Sequence, residues 1–211
     1  MPRLGLALAL LLMPTALTAQ VHPESRVHVS AGGGFLTSGA YFTGPGSLEL
    51  TSGDAFAGIL QASVAVHRSI ALVVAGAYAR PEWRITGAPL VGTIGVSGAS
   101  LWFADAAVRG LLPLGGPSVT TPVAFAQAGA GLAHYTLNTT VLGNAVDEDA
   151  TNFAVALGIG VTLPFSRRFG LEVLGKDYIT SFTSVRDLEQ FGVEGRRAHT
   201  LLLSVSARVG L

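Results

Sequence analysis

A two-residue alternation runs through most of the chain. In TNFAVALGIGVTLP, the positions Phe153, Val155, Leu157, Ile159, Val161 and Leu163 are large and apolar, and the positions between them are Asn152, Ala154, Ala156, Gly158, Gly160 and Thr162. Successive side chains of a β-strand point to opposite faces, so this segment predicts a strand with one greasy face and one small, weakly polar face. The same pattern returns in HTLLLSVSARVGL, where His199, Leu201, Leu203, Val205, Ala207, Val209 and Leu211 oppose Thr200, Leu202, Ser204, Ser206, Arg208 and Gly210. FGLEVLGKDYI sets Phe169, Leu171 and Val173 against Glu172, Leu174 and Lys176, and SLWFADAAVRGLL sets Trp102, Ala104, Ala106, Val108 and Leu112 against Phe103, Asp105, Ala107 and Arg109. IALVVAGAYA sets Ile70, Leu72, Val74 and Tyr78 against alanines and Val73. RVHVSAGGGF and DAFAGILQASVAVH alternate more weakly, and VAFAQAGAGLAHYT is too rich in Ala and Gly for an inward face to be chosen. About eight strands are predicted, with no helical stripe and no second domain.

The connections alternate in length. Short ones fall at 67–69, 113–120 and 164–168, and long ones at 38–53, 81–92, 137–150 and 183–197. Polar and charged residues gather in the long set, as in VDEDA and SVRDLEQFGVEGRR. The first residues, MPRLGLALALLLMPTALTAQ, have Arg3 before an apolar core Leu4–Met13 and a small residue at Ala19. This is the pattern of a secretory signal peptide over 1–19, leaving 20–211 as the mature domain.

Composition decides which face points inward. A soluble barrel buries its greasy face and needs a polar exterior, roughly a quarter to a third of it charged. This chain is only 12% charged, and the second face of its strands carries Gly, Ala, Ser and Thr with few charges. The arrangement fits a membrane barrel, apolar outside and polar within. In these registers Asp105, Arg109, Glu172, Lys176 and Arg208 all face the interior. Slipping their strands by one residue would turn all five toward lipid at a cost on the order of 10 kcal/mol. Asp177 falls on the outward parity, which places it at the outer interface or at a bulge. With net charge zero and no basic balance, nucleic acid is not an expected partner.

An even strand number leaves both termini at one end, and the last strand must pair with the first, because an open edge in lipid is intolerable. The expected fold is therefore all-β: an eight-stranded antiparallel up-and-down transmembrane β-barrel. The ending HTLLLSVSARVGL resembles the carboxy-terminal insertion signal of bacterial outer-membrane proteins, with Leu211 where an aromatic residue usually stands. In plan the chain resembles the small eight-stranded group typified by the outer membrane protein A barrel and its X- and W-type relatives. The resemblance implies an outer-membrane location in a Gram-negative envelope. It also implies contact with outer-membrane lipid and lipopolysaccharide, insertion by the barrel assembly machinery and a monomeric state.

An eight-stranded interior is just wide enough to be filled by side chains, so charges inside must be paired. Counting from the strand ends predicts an Arg109–Glu172–Arg208 cluster and an Asp105–Lys176 pair. These would act as a structural plug, or as a gate for small ions if partners exchange. Tyr41, Tyr78, Trp83, Trp102, Tyr135 and Tyr178 fall near the expected outer strand ends, where an aromatic girdle belongs. His28 and Ser30 share a face, a pairing that some lipid A deacylases use with an acid, and Glu172 is the one carboxylate in the barrel that could serve as that acid. The remaining histidines (His22, His67, His134, His199) show no ligand spacing, so neither metal nor cofactor is expected. Loops 137–150 and 183–197 are the candidate contacts for a surface ligand. The expected role is structural or in surface recognition, with a narrow gated channel as the alternative and a lipid-modifying enzyme behind it.

Overall fold

A computed structural model describes residues 26–44, 48–88, 92–96, 99–116, 118–141, 144–181, 194–195 and 197–211. The signal segment 1–19 lies outside them, as does 182–193, which holds most of the fourth long connection. The described residues form thirteen strands: β1 (Val27–Ser38), β2 (Ala40–Gly44), β3 (Leu48–Ser52), β4 (Ala55–His67), β5 (Ile70–Ala79), β6 (Trp83–Ala88), β7 (Gly92–Val96), β8 (Ala99–Pro113), β9 (Val123–Val141), β10 (Asn144–Pro164), β11 (Phe169–Ser181), β12 (Glu194–Gly195) and β13 (Arg197–Gly210).

Eight of them close a barrel in the order β1-β13-β11-β10-β9-β8-β5-β4, and every neighbouring pair is antiparallel. These eight coincide with the eight alternating segments. The final strand pairs with the first from His28↔Gly210 to Ser38↔Thr200, so the ring has no open edge. The short connections gather at the end where β1 begins and β13 stops. In barrels of this kind that is the periplasmic end.

The exterior is apolar. Ile159 is 72% exposed and Phe35 and Phe56 are each 68% exposed, while Leu60, Val74, Val108, Leu203 and Val205 continue the outward rows. In water such a surface would be an aggregation patch; in lipid it is the solvated face. The interior holds the polar residues, and among the described residues the largest fully buried side chain is Arg109. The structure also settles β9, which puts Phe125, Gln127, Ala133 and Tyr135 inward and Ala126, Ala128, Ala130 and Leu132 outward.

Two features depart from the expected loops. Segment 137–150 is not an irregular connection: β9 and β10 stay paired out to Val141↔Asn144, with Asp149 opposite Thr136. The remaining short strands form a second sheet in the order β12-β2-β3-β6-β7, built from the connections after β1, β5 and β11 at the extracellular end. Beyond the bilayer neither face of a strand must be apolar, so these segments carry no alternation to reveal them.

Candidate functional site

The periplasmic half of the interior is polar and is bridged by one network. Arg109 on β8 forms a fork on Glu172 of β11, with Nη1 donating to Oε2 at 2.8 Å and Nη2 to Oε1 at 3.1 Å. Its Nε and Nη2 also donate to Gln127 Oε1 on β9, at 3.0 and 2.8 Å, and the guanidinium lies 3.9 Å above the centre of the Phe125 ring. From the opposite wall, Gln61 Nε2 on β4 donates to Glu172 Oε1 at 2.7 Å and to Ser30 Oγ on β1 at 3.3 Å. Four of the eight strands thus meet on one carboxylate and one guanidinium, and β1 joins them through the Ser30 hydroxyl. The flat, bidentate geometry is what guanidinium offers and an ammonium does not.

Glycine makes room for this layer. A Cβ at Gly160 would run into the Phe125 ring, and one at Gly158 would sit 3.0 Å from Gln127 Cγ. The Gly158 and Gly160 positions on the small face of β10 therefore leave space for the aromatic platform beneath Arg109.

One level toward the cell exterior, Lys176 Nζ on β11 donates to both oxygens of Asp105 on β8, at 3.0 and 2.8 Å. Tyr178 OH donates to Asp105 Oδ2 at 3.0 Å, and its ring stacks on Phe103 with centroids 4.0 Å apart and planes 10° from parallel. Above this layer the interior is largely apolar, with Thr180, Thr200 and Asn152 the polar side chains buried among it. Leu36, Leu101, Leu202, Tyr135 and a lining of alanines that includes Ala57, Ala79, Ala133 and Ala198 pack together at the extracellular end. The interior is thus charged toward the periplasm and greasy toward the outside, a layering that the two-face reading of the strands did not contain.

Three expected placements change. Arg208, expected to share Glu172, sits half-buried at the periplasmic end, opposite Ser30 and Gly170, and acts on that carboxylate only through space. Tyr178 and Tyr135 are not girdle residues: both are buried inside the barrel. Parity alone places Tyr178 with Glu172 and Lys176, and an interior lined by so many alanines needs bulky rings to fill it. Tyr41 and Trp83 belong to β2 and β6 of the second sheet rather than to barrel strands, and their side chains lie outside the described residues.

Tyr78 and Trp102 do face outward. Arg80 Nε donates to Tyr78 OH at 2.8 Å, and Trp102 lies beside His134 with ring centroids 5.2 Å apart. His134 Nδ1 is 2.8 Å from Thr151 Oγ1. Asp177 also faces outward, on a ladder that is regular on both sides, and lies 2.8 Å from His199 Nδ1. The pairing offsets the presence of a carboxylate on the outward face near the outer rim.

His28 is half-buried, opposite Ser63 and Gly210, and the hydroxyl of Ser30 is taken up by Gln61. No group of three or more His, Cys, Asp or Glu suited to a metal ion is present among the described residues.

No protein-family model matches the chain, and no curated protein matches it. Solved structures do. The chain is similar to Neisserial surface protein A, with a TM-score of 0.60 and 13% identity, covering 89% of this chain and 98% of that one. It is similar to OprG from Pseudomonas aeruginosa, with a TM-score of 0.58 and 8% identity, covering 89% and 98%. The outer membrane protein AlkL, solved in DMPC lipid bilayers, gives a TM-score of 0.50 and 13% identity over 94% and 97%. At these identities the likeness is one of fold. Fold and apolar exterior together define an integral outer-membrane β-barrel, with the architecture of the small eight-stranded group.

Proposed function

We propose that this barrel is sealed and that its work is done above the membrane, with the extracellular sheet and the β9–β10 hairpin offered as a recognition surface on a rigid anchor. The observation that carries the reading is the Arg109–Glu172 fork, joined by Gln61 and Gln127 from other strands, beneath a packed apolar layer. Both levels put side chains across the interior, and a general pore needs about sixteen strands. On this reading the protein is a monomer delivered by the barrel assembly machinery. Outward Tyr78, Trp102 and His134 meet lipopolysaccharide at the outer interface. Single-channel recording in planar bilayers is the test, and no conductance steps are expected from the folded protein. Regular steps would overturn the seal.

A gated channel is the second reading, favoured by the double engagement of Glu172 with Arg109 and Gln61, which gives the carboxylate alternative partners. It requires current in the wild type that Glu172→Gln or Arg109→Ala abolishes. A lipid-modifying role for His28 and Ser30 is checked by mass spectrometry of lipid A with and without expression, and no mass change is expected.

A further inference from the structure

One cation inside the barrel is left without a partner. Lys176 balances Asp105 and Arg109 balances Glu172, so Arg208 carries the net charge of the membrane-spanning interior. Arg208 has the inward parity of Ser204 and Ser206 and is half-buried. Among the described residues, no hydrogen bond or ion pair reaches its guanidinium. The register gives the reason. Arg208 lies opposite Gly170 on β11 and Ser30 on β1, and neither supplies a carboxylate. Both oxygens of Glu172 are already taken by Arg109 and Gln61. The terminal carboxylate lies at the same rim on outward-facing Leu211, and Leu211 and Arg167 both have partners of their own. The interior balance includes neither.

Around Arg208 the inner wall is rich in donors and poor in acceptors. On β1, Ser30 stands directly beside it and His28 one step nearer the mouth; Ser63 on β4 lies opposite His28, and β13 itself adds Ser206. The Ser30 oxygen accepts from Gln61 Nε2, which leaves its own O–H free to donate. Ser63 and Ser206 are buried, and neither has a hydrogen-bond partner among the described residues. One guanidinium, three hydroxyls and a half-buried imidazole thus face the interior from the consecutive strands β4, β1 and β13. A buried hydroxyl without a partner is costly, and a wall of donors beside an unpaired cation is the chemistry that an anion satisfies.

We propose that this cluster is a binding site for a small oxyanion of the phosphate class, entered from the periplasmic mouth and closed above by the Arg109–Glu172 layer. The planar fork of Arg208 matches two oxygens of the anion, and the serine hydroxyls serve the others. Donors set on three strands suit a tetrahedral set of oxygens, whereas a carboxylate offers two in one plane. The bound anion gives Arg208 the counter-charge that the fold withholds, and so completes a third paired level beneath the two already built. The site is a dead end, so it holds whether or not the barrel above it is sealed.

The test is a titration of the folded protein with inorganic phosphate in a phosphate-free maltoside detergent, at constant ionic strength set with chloride. It is followed by phosphorus NMR of the anion and by the histidine ring resonances of the protein. The phosphate line should broaden with a dissociation constant on the order of 1 mM. The His28 ring resonances should move with the same midpoint, while those of His134 and His199, toward the other end, stay still. Arg208→Gln should weaken binding about ten-fold or more, and Ser63→Ala/Ser206→Ala about three-fold. Arg26→Gln/Arg168→Gln, which removes two exposed rim charges outside the cluster, should leave it unchanged. Heat-shifted gel mobility verifies that each variant is folded, and the wild-type comparison of phosphate with acetate, expected to bind more weakly, needs no variant. Broadening that does not saturate, His28 resonances indifferent to phosphate, acetate bound as tightly as phosphate, or equal loss in Arg208→Gln and the rim variant overturns the proposal.

Discussion

Replacing Glu172 by leucine would strand a guanidinium inside the barrel. Arg109 and Glu172 are each 2% exposed, so neither can turn to water when its partner is removed. Arg109 would keep Gln127 and the face of Phe125 but no counter-ion, and Gln61 would lose its charged acceptor. Breaking a buried pair from one side costs about 3–5 kcal/mol, and Arg109→Met should cost a similar amount because it strands the carboxylate. The double variant Arg109→Met/Glu172→Leu leaves no uncompensated charge. It should cost far less than the sum of the singles, since an apolar pair of similar volume is often neutral against a buried ion pair. The residual cost is the unsatisfied amides of Gln61 and Gln127, about 1–3 kcal/mol each. The cycle should therefore show a coupling of about 3 kcal/mol. Reversible urea unfolding in vesicles, followed by tryptophan fluorescence from Trp83 and Trp102, supplies the four stabilities. Single costs that add to the double within about 0.5 kcal/mol would refute the reasoning.

Three further outcomes follow from the same geometry. Leu203→Arg puts a cation on the outward face of β13 and should cost about 2–4 kcal/mol near mid-membrane, read as loss of the folded, heat-modifiable band. Tyr178→Phe removes a hydrogen bond to the Asp105 carboxylate but keeps the stack on Phe103, so unfolding should show a loss of about 1.5–3 kcal/mol with no change in strand content by circular dichroism. Gly160→Val drives a side chain into the Phe125 ring and should destabilise by about 1–3 kcal/mol, whereas Gly58→Val, where nothing lies within 4 Å, should be better tolerated in the same unfolding assay.

The barrel was legible because lipid imposes a contrast that sequence records. Along the lipid-spanning part of β10 and β13 the outward positions are mostly large and apolar and the inward ones mostly small, and the charges of β8 and β11 fall on one parity except for Asp177. That contrast fails where both faces are small. In β9 the outward Ala126, Ala128 and Ala130 face inward Gly129 and Gly131, and only Phe125, Gln127 and Tyr135 reveal the inner face once their partners are seen. It fails again above the membrane, where β2, β3, β6, β7 and β12 are short. The pairs Arg109–Glu172 and Asp105–Lys176 meet in space at the depths that counting from the strand ends suggested. Gln61 and Gln127 were missed because an amide on the inner face carries no distinguishing pattern; its role depends on what lies across the interior. Proximity to the outer strand ends was a poor guide for Tyr135 and Tyr178, since an interior lined with alanine also needs aromatic rings. The parity of Tyr178 with Glu172 was the available signal.

The inside-out arrangement is tested most directly by a spin-label accessibility scan along β13 in lipid vesicles. Residues 200–207 are labelled one at a time and relaxed by lipid-dissolved oxygen or by a water-soluble nickel chelate. Labels at Leu201, Leu203, Val205 and Ala207 should be readily relaxed by oxygen, and labels at Leu202, Ser204 and Ser206 shielded from it, in strict alternation. Alternation of the opposite phase, or odd positions open to the nickel chelate and closed to oxygen, would mean that the greasy face points inward and would contradict a membrane-spanning barrel.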